Sequence, residues 1–235
     1  MSDSFTYQGD ELVLFQHAKN WKQYFSQQIR PLIKGNVLEV GAGIGATTLL
    51  LNDGSARQWL MLEPDEQLCN ELKNKKAGGV FPVNCELQTG TIDLLTDGFD
   101  TIIYIDVLEH IEADAAELSK AAALLKPGGH IIVLSPAFQF LYSPFDKAIG
   151  HYRRYTKKML RKITPANLLP VSSRYYDSVG YFAALMNKLL LRQKYPTLKQ
   201  VLFWDSWMIP VSKITDKLFF HRFGKAIITA WKKAA

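Results

Sequence analysis

The run Val37-Leu38-Glu39-Val40-Gly41-Ala42-Gly43-Ile44-Gly45-Ala46 constrains this chain more than any other stretch. An apolar strand leads straight into glycines at alternate positions, and Thr47-Thr48-Leu49-Leu50-Leu51 continues as a helix. Glycine tolerates positive φ and lacks the Cβ that would hold a ligand off the backbone. Such a strand-to-helix turn lets a nucleotide-like molecule lie against main-chain N–H groups and a helix N-terminus. Gly41, Gly43 and Ala46 also satisfy the loose dinucleotide pattern G-x-G-x-x-G/A, so the turn alone leaves the cofactor open.

The rest of the chain repeats the alternation of strand and helix. Glu11 to Arg30 has helical spacing, with Leu12, Phe15, Ala18, Trp21, Tyr24 and Phe25 on one face, and Pro31 ends it. Gln58–Glu63 reads as a second strand ending in an acid, followed by a helix over Glu66–Lys75. Val80–Asn84 reads as a third strand whose proline favours a sheet edge. Phe99–Ile105 is a strong buried strand with Asp106 at its end. Ala113–Leu125 is a helix stopped by Lys126-Pro127-Gly128-Gly129, and His130–Leu134 is the next strand. This order predicts an α/β fold with a doubly wound, mostly parallel sheet.

Past Ser135 the texture changes. Residues 136–155 are loop-like, Thr156–Ile163 reads as a short helix, and Leu168–Val179 and Ala226–Trp231 as late strands. Between those strands, Gly180–Lys225 carries Phe182, Leu185, Met186, Leu189, Leu190, Leu191, Phe203, Trp204, Trp207 and Phe219. That is too long for a hairpin loop and reads as a helical insertion, a lid or a surface that lies on lipid. The expected organisation is one domain over 1–235: a cofactor-binding core (35–135), a substrate loop with a late strand (136–179), and a helical lid (180–225).

Charge is split along the chain. Residues 1–146 hold 10 Lys/Arg against 19 Asp/Glu, a net −9, whereas residues 147–235 hold 18 against 3, a net +15. The C-terminal part therefore suits an anionic partner, or attracts the acidic half of its own chain. Met1–Asp10 shows no signal-peptide pattern, no apolar run is long enough to span a membrane, and Cys69 and Cys85 lack metal or secretory spacing. A cytoplasmic protein with free thiols, touching a membrane at most peripherally, is expected.

Glu63, 22 residues after Gly41, falls at the end of the second strand, where a carboxylate can accept hydrogen bonds from both ribose hydroxyls. This suits NAD as well as S-adenosylmethionine. The later sheet, however, offers no clear second mononucleotide half. The pieces VLEVGAGIGATT, MLEPD, FDTIIYIDVLEHI and LLKPGGHIIVLSP, in this order over roughly residues 35–135, resemble the class I S-adenosylmethionine-dependent methyltransferases. The stretch from Ser143 to Thr156, containing GHYRRYT, is similar to the segment of a bacterial subgroup of that family.

The resemblance implies a seven-stranded Rossmann-like sheet whose last strand is antiparallel, and S-adenosylmethionine as cofactor. It implies that Glu39, Gly41, Ala42, Gly43 and Gly45 line the methionine moiety, with Asp106 facing it. Glu63 would hold the ribose, Pro64 would lie near the adenine, and Thr91 and Ile92 would lie beside that ring after a turn at Gly90. Trp21 and Tyr24 would close the pocket. The usual acid before the adenine-contacting pair is missing, since Gly90 follows Thr89.

His110 and His151 are the candidate general bases for an oxygen acceptor. Asp146, Tyr152, Arg153, Arg154 and Tyr155 fall in the substrate segment, where arginines can grip phosphate or carboxylate groups. Asp106, Glu109 and His110, with His151 opposite, offer mixed donors for a divalent ion, although a metal is not expected. The reading is methylation, at oxygen rather than nitrogen, of a small-molecule or lipid-linked acceptor carrying negative charge. Nucleic acid is the least favoured partner. The competing readings are an NAD-dependent reductase and a methyltransferase-like binding module without chemistry.

Overall fold

The computed structural model describes residues 11–96, 98–191 and 195–234. The stretch Met1–Asp10 and the side chains of Leu190 and Leu191 lie outside the described residues. Seven strands form one sheet: β1 (Asn36–Val40), β2 (Gln58–Glu63), β3 (Cys85–Thr89), β4 (Phe99–Ile105), β5 (Leu125–Pro136), β6 (Leu168–Tyr176) and β7 (Ala226–Lys233). Their order is β3-β2-β1-β4-β5-β7-β6, parallel except for β7, which runs antiparallel to both neighbours.

The helices are α1 (Glu11–Phe15), α2 (Lys19–Ile29), α3 (Ala46–Leu51), α4 (Glu66–Ala77) and α5 (Asp114–Leu124), then α6 (Pro144–Ala148), α7 (Lys157–Ile163), α8 (Ser178–Met186), α9 (Leu198–Phe203) and α10 (Ile209–Leu218). Because side chains alternate across a strand, consecutive apolar residues serve opposite layers. Leu38, Ile102 and Ile131 pack with Leu118 and Ala121 of α5, whereas Val37, Ile103 and Ile132 pack with Ile29 of α2. The doubly wound, mostly parallel sheet expected from the sequence is the one observed.

Three local expectations need correction. The helix over Glu11–Arg30 is broken between α1 and α2, because the backbone N–H groups of Asn20 and Trp21 donate to the Asp205 carboxylate, at 3.0 and 2.8 Å. An acid 184 residues away thus caps α2, which Ala18 cannot do itself. The third strand is Cys85–Thr89, not Val80–Asn84. Phe81 turns inward under α4, Val83 is fully exposed, and pairing begins where Cys85 meets Trp59. Lys126–Gly129 does not precede the fifth strand but lies within it. Leu125 already pairs with Phe99, and a register shift before Thr101 absorbs the extra residues.

The insertion after β6 is helical, as expected, and caps the sheet edge where the parallel strands end. α9 continues through a π-helical turn (Trp204–Met208) into α10. Three buried carboxylates pin this cap. Asp205 caps α2, as above. Asp177 accepts from Gly180 N–H, Trp204 Nε1 and Ser212 Oγ at 2.8–2.9 Å. Asp216 accepts from Tyr24 Oη at 3.0 Å and from the N–H groups of Asp177 and Ser178 at 2.8 Å. Asp216→Ala leaves three buried donors unpaired and is expected to cost about 3 kcal/mol or more in urea unfolding. A loss below about 1 kcal/mol would remove this residue as an anchor.

Candidate active site

The carboxyl ends of β1, β2 and β4 and the cap enclose a cavity of about 1130 Å³. Its floor is the glycine turn. Gly41 and Gly43 adopt φ of +69° and +56°, and a Cβ on Gly41 would lie 2.6 Å from Val107. The first three N–H groups of the turn are already spent within the protein. Those of Gly41 and Ala42 donate to Leu62 O at 2.8 and 3.1 Å, and that of Gly43 donates to Glu63 Oε2 at 2.7 Å.

Glu63 is buried in the cavity wall, its other oxygen accepting from Asp65 N–H at 2.9 Å. Burial raises its pKa, and the bonds from Asp65 and Gly43 oppose that rise. Trp21, Gly41, Ala42, Gly43, Glu63, Pro64, Thr91, Ile92 and Asp106 all line the cavity. Asp106 holds the left-handed conformation at φ 55° where β4 ends, a strained geometry that clusters at functional sites.

Two of the expected cofactor residues lie elsewhere, and so does Tyr24. Glu39 turns away from the cavity into the opposite layer, where it accepts from Thr48 Oγ1 at 2.5 Å and Trp59 Nε1 at 2.7 Å. Gly45 supports packing, since a Cβ there would meet the Phe81 ring at 2.4 Å. Tyr24 is buried against Asp216.

Burial pushes the Glu39 carboxyl up to about 7, against the two hydrogen bonds. The folded state therefore holds an extra proton between the unfolded value near 4.5 and about 7. Its stabilising contribution is present below that window and is lost as pH rises through 7. Glu39→Gln keeps an acceptor without the charge. Its thermal midpoint relative to wild type is expected to rise between pH 5 and 8.5, by an amount corresponding to about 3 kcal/mol at most. A pH-independent difference in scanning fluorimetry would contradict this.

The acceptor side is built around Asp146, at the first turn of α6. His151 Nδ1 lies 3.0 Å from Oδ1, Arg154 donates through Nε and Nη2 at 2.8 and 2.9 Å, and Ser143 donates its N–H and Oγ to Oδ2. Burial disfavours ionising Asp146, but these partners outweigh it and hold the carboxyl below the usual range. A carboxylate only accepts, so Nδ1 carries the proton and Nε2 is left as the basic nitrogen. The His110 ring meets His151 edge-on at 4.6 Å, and its pKa is pushed down to about 4 by burial and by that neighbour. Both rings, with Asp146, Tyr152 and Arg154, line the cavity.

Arg153 and Tyr155 do not. Arg153 pairs with Asp114 at 2.6 Å, and Tyr155 is buried with its hydroxyl on Asp114 at 2.8 Å. Their expected substrate role is corrected to holding this loop on α5.

The metal candidates stay close, with Glu109 Oε1 3.9 Å from His151 Nε2, but Glu109 is not part of the cavity lining that holds Asp106, His110 and His151. Glu109 is buried behind the wall and accepts from Ser135 Oγ at 2.9 Å. Burial, with Asp106 and Asp146 nearby, raises its pKa well above the usual carboxyl value. Among the described residues no three His, Cys, Asp or Glu side chains are grouped to hold an ion.

Sequence reasoning missed Lys225, which lines the cavity beside Trp204 and Phe15, its ammonium 4.5 and 5.9 Å from those rings. Burial lowers its pKa, and the nearby Asp177 counteracts that. An antiparallel β7 starts at the edge where β1, β2 and β4 end, so the residue before it faces the ligand side. That signal was present in the chain order. Arg154 Nη1 is buried there without a hydrogen-bond partner.

Residues 38–131 match a family described as a methyltransferase domain. Over 119 residues the chain is 34% identical to a tRNA U34 carboxymethyltransferase of Shewanella denitrificans, covering 48% of this chain and 36% of that protein. Over 116 residues it is 32% identical to a ubiquinone biosynthesis O-methyltransferase of Coxiella burnetii, covering 46% of each. The chain thus spans less than half the length of either relative. Among solved structures, coclaurine N-methyltransferase bound to N-methylheliamine and SAH aligns with a TM-score of 0.59 at 13% identity, over 92% of this chain and 72% of that one. The antiparallel β7 between β5 and β6, the glycine turn locked to β2 and the solved structure agree on the fold, that of the class I methyltransferases, and residues 38–131 are similar to a methyltransferase domain.

Proposed function

We propose that this protein transfers a methyl group from S-adenosylmethionine to an oxygen of a small or lipid-linked acceptor carrying negative charge. The observation that carries the reading is Glu63, a carboxylate fixed by two backbone N–H groups in the wall of a cavity floored by Gly41–Gly43. The residues suit that cofactor and not a dinucleotide. A pyrophosphate is held by unspent N–H donors at such a turn, and those of Gly41, Ala42 and Gly43 are bonded within the protein. Asp106, at the end of β4, would moreover repel a pyrophosphate, whereas it tolerates a sulfonium.

Glu63 would hold the ribose, Pro64, Thr91 and Ile92 the adenine, and Gly41–Gly43 with Asp106 and Trp21 the methionine end. When bound, the cofactor supplies an electrophilic methyl group. The chain's own part is to align the acceptor, exclude water and take a proton. Alignment within the cavity supplies much of the acceleration of such a displacement. His151 Nε2 accepts the acceptor's hydroxyl proton, and Asp146 orients the ring and stabilises the imidazolium formed. Arg154 Nη1 and Lys225 provide positive charge for an anionic group of the acceptor.

Isothermal titration with S-adenosylhomocysteine and with NAD tests the cofactor. Micromolar binding of the former alone is expected, and binding of NAD alone would overturn the reading. Tritium transfer from methyl-labelled S-adenosylmethionine into a cell extract then separates an enzyme from a silent binding module.

A further inference from the structure

The helix that runs from Leu198 to Leu218 through the π-turn is amphipathic in an inverted sense. Its inward residues are Val201, Asp205, Ile209, Ser212 and Asp216, three of them polar and tied into the cap. The opposite face carries Phe203, Trp207, Val211, Ile214 and Leu218, with Trp207 at 69%, Ile214 at 70% and Leu218 at 66% exposure. Each lies two residues beyond an inward one, about 200° around the helix.

At its C-terminal end this stripe runs into an aromatic cluster. Phe219 touches Phe223 (5.1 Å between ring centres), Phe223 touches Phe182 (5.5 Å), and Tyr181 links these to Phe140. Phe140, Phe182, Phe219 and Phe220 are themselves exposed. An apolar surface this continuous is unusual for a face that meets only water.

Charge identifies the occupant. Residues 178–225 contain only two acids, Asp205 and Asp216, and both are buried in the cap. The exposed charges bordering the apolar face are Lys188, Lys199, Lys217 and Arg222, with Arg222 over the Phe220 ring. A second copy of this face would bring cation against cation. An anionic bilayer supplies both an apolar layer for Trp, Phe, Ile and Leu and a negative layer for Lys and Arg. No helix among the described residues is long and apolar enough to cross a membrane, so the contact lies at the interface.

We propose that the outer face of the α8–α10 cap docks on an anionic lipid bilayer. Asn187, Lys188, Lys199, Gln200 and Phe203 of the same cap also line the cavity, so the rim formed by Phe203, Lys188 and Lys199 belongs both to the apolar face and to the cavity mouth. Docking thus sets the cavity beside the lipid layer. In combination with the methyl-transfer reading, on which this last step rests, the acceptor is a lipid-borne molecule with a charged head.

The test is co-sedimentation of the full chain with vesicles of phosphatidylcholine alone and of phosphatidylcholine with phosphatidylglycerol, at low and high salt. Binding to the anionic vesicles, weakened by salt, is expected. Trp207→Glu/Ile214→Glu is expected to weaken it about tenfold or more, and Lys217→Glu/Arg222→Glu to remove the preference for anionic lipid. S-adenosylhomocysteine titration of the same samples reports the fold and the cofactor site separately. Lipid binding absent in wild type or unchanged in both variants overturns the docking surface, whether or not the cofactor binds. So does a sedimentation-equilibrium dimer that Trp207→Glu/Ile214→Glu dissociates. Failure to bind S-adenosylhomocysteine overturns the methyl-transfer reading alone.

Discussion

Glu63→Ala is expected to weaken S-adenosylhomocysteine binding by about a hundredfold or more in isothermal titration. In the proposed reading a carboxylate held rigidly in the wall would accept hydrogen bonds from two ribose hydroxyls, and bonds to a charged acceptor contribute about 1.5–3 kcal/mol each. The rigidity is visible: Gly43 and Asp65 already fix one oxygen each, so no side-chain freedom is lost on binding. Alanine also strands those two N–H groups, which loosens the glycine turn. Glu63→Gln separates the effects, because glutamine keeps one acceptor and the shape while replacing the other oxygen with a donor that faces an N–H. A loss of about tenfold or more is expected for it, with a smaller change in thermal midpoint than for alanine. Wild-type affinity in both variants would show that the sugar lies elsewhere.

The second large effect is expected at the Asp146 cluster. His151→Ala is expected to lower the rate of methyl transfer by about a hundredfold while leaving S-adenosylhomocysteine affinity within about threefold of wild type. The measurement is initial tritium incorporation from labelled cofactor into the organic phase of an extract. A wild-type rate would leave positioning as the whole of catalysis. Asp146→Ala is expected to do more, since it removes the tautomer-setting partner of His151 and leaves Arg154 buried without its counter-charge. Breaking a buried pair from one side costs about 3–5 kcal/mol, so the substrate loop itself should become sensitive to protease. Asp146→Asn preserves the shape and is the variant in which rate falls with the least change in stability.

The two arginines of the GHYRRYT run show where sequence reading stops. Arg153 and Arg154 are chemically identical and adjacent, yet one reaches out to Asp114 and the other in to Asp146. In extended backbone, successive side chains point to opposite sides. Which side faces the cavity is set by the pairing of Tyr155 with Ala137 at the end of β5, which the GHYRRYT run itself does not encode. Asp205 makes the same point. As a lone acid in an apolar helix it gives no local hint that it caps α2, and the break in the N-terminal helix follows from it.

Short, repeated patterns along the chain encode one part of this molecule. Runs such as Phe99–Ile105 can only be buried strands. Glycines after such a run demand a turn that side chains cannot enter, and an acid at the end of β2 falls on the ligand edge of any parallel sheet. Gly41, Gly43, Glu63 and Asp106, which follow these rules, all line one cavity.

Folding alone sets the direction of individual polar side chains and the company they keep. Glu39 turned to Trp59, Lys225 arrived from the far end of the chain, and His151 acquired Asp146 behind it. The reason is energetic. Burying apolar area is non-directional and leaves a legible periodicity, whereas a buried carboxylate or ammonium is tolerated only where specific partners meet it, and those partners converge only after the chain has folded.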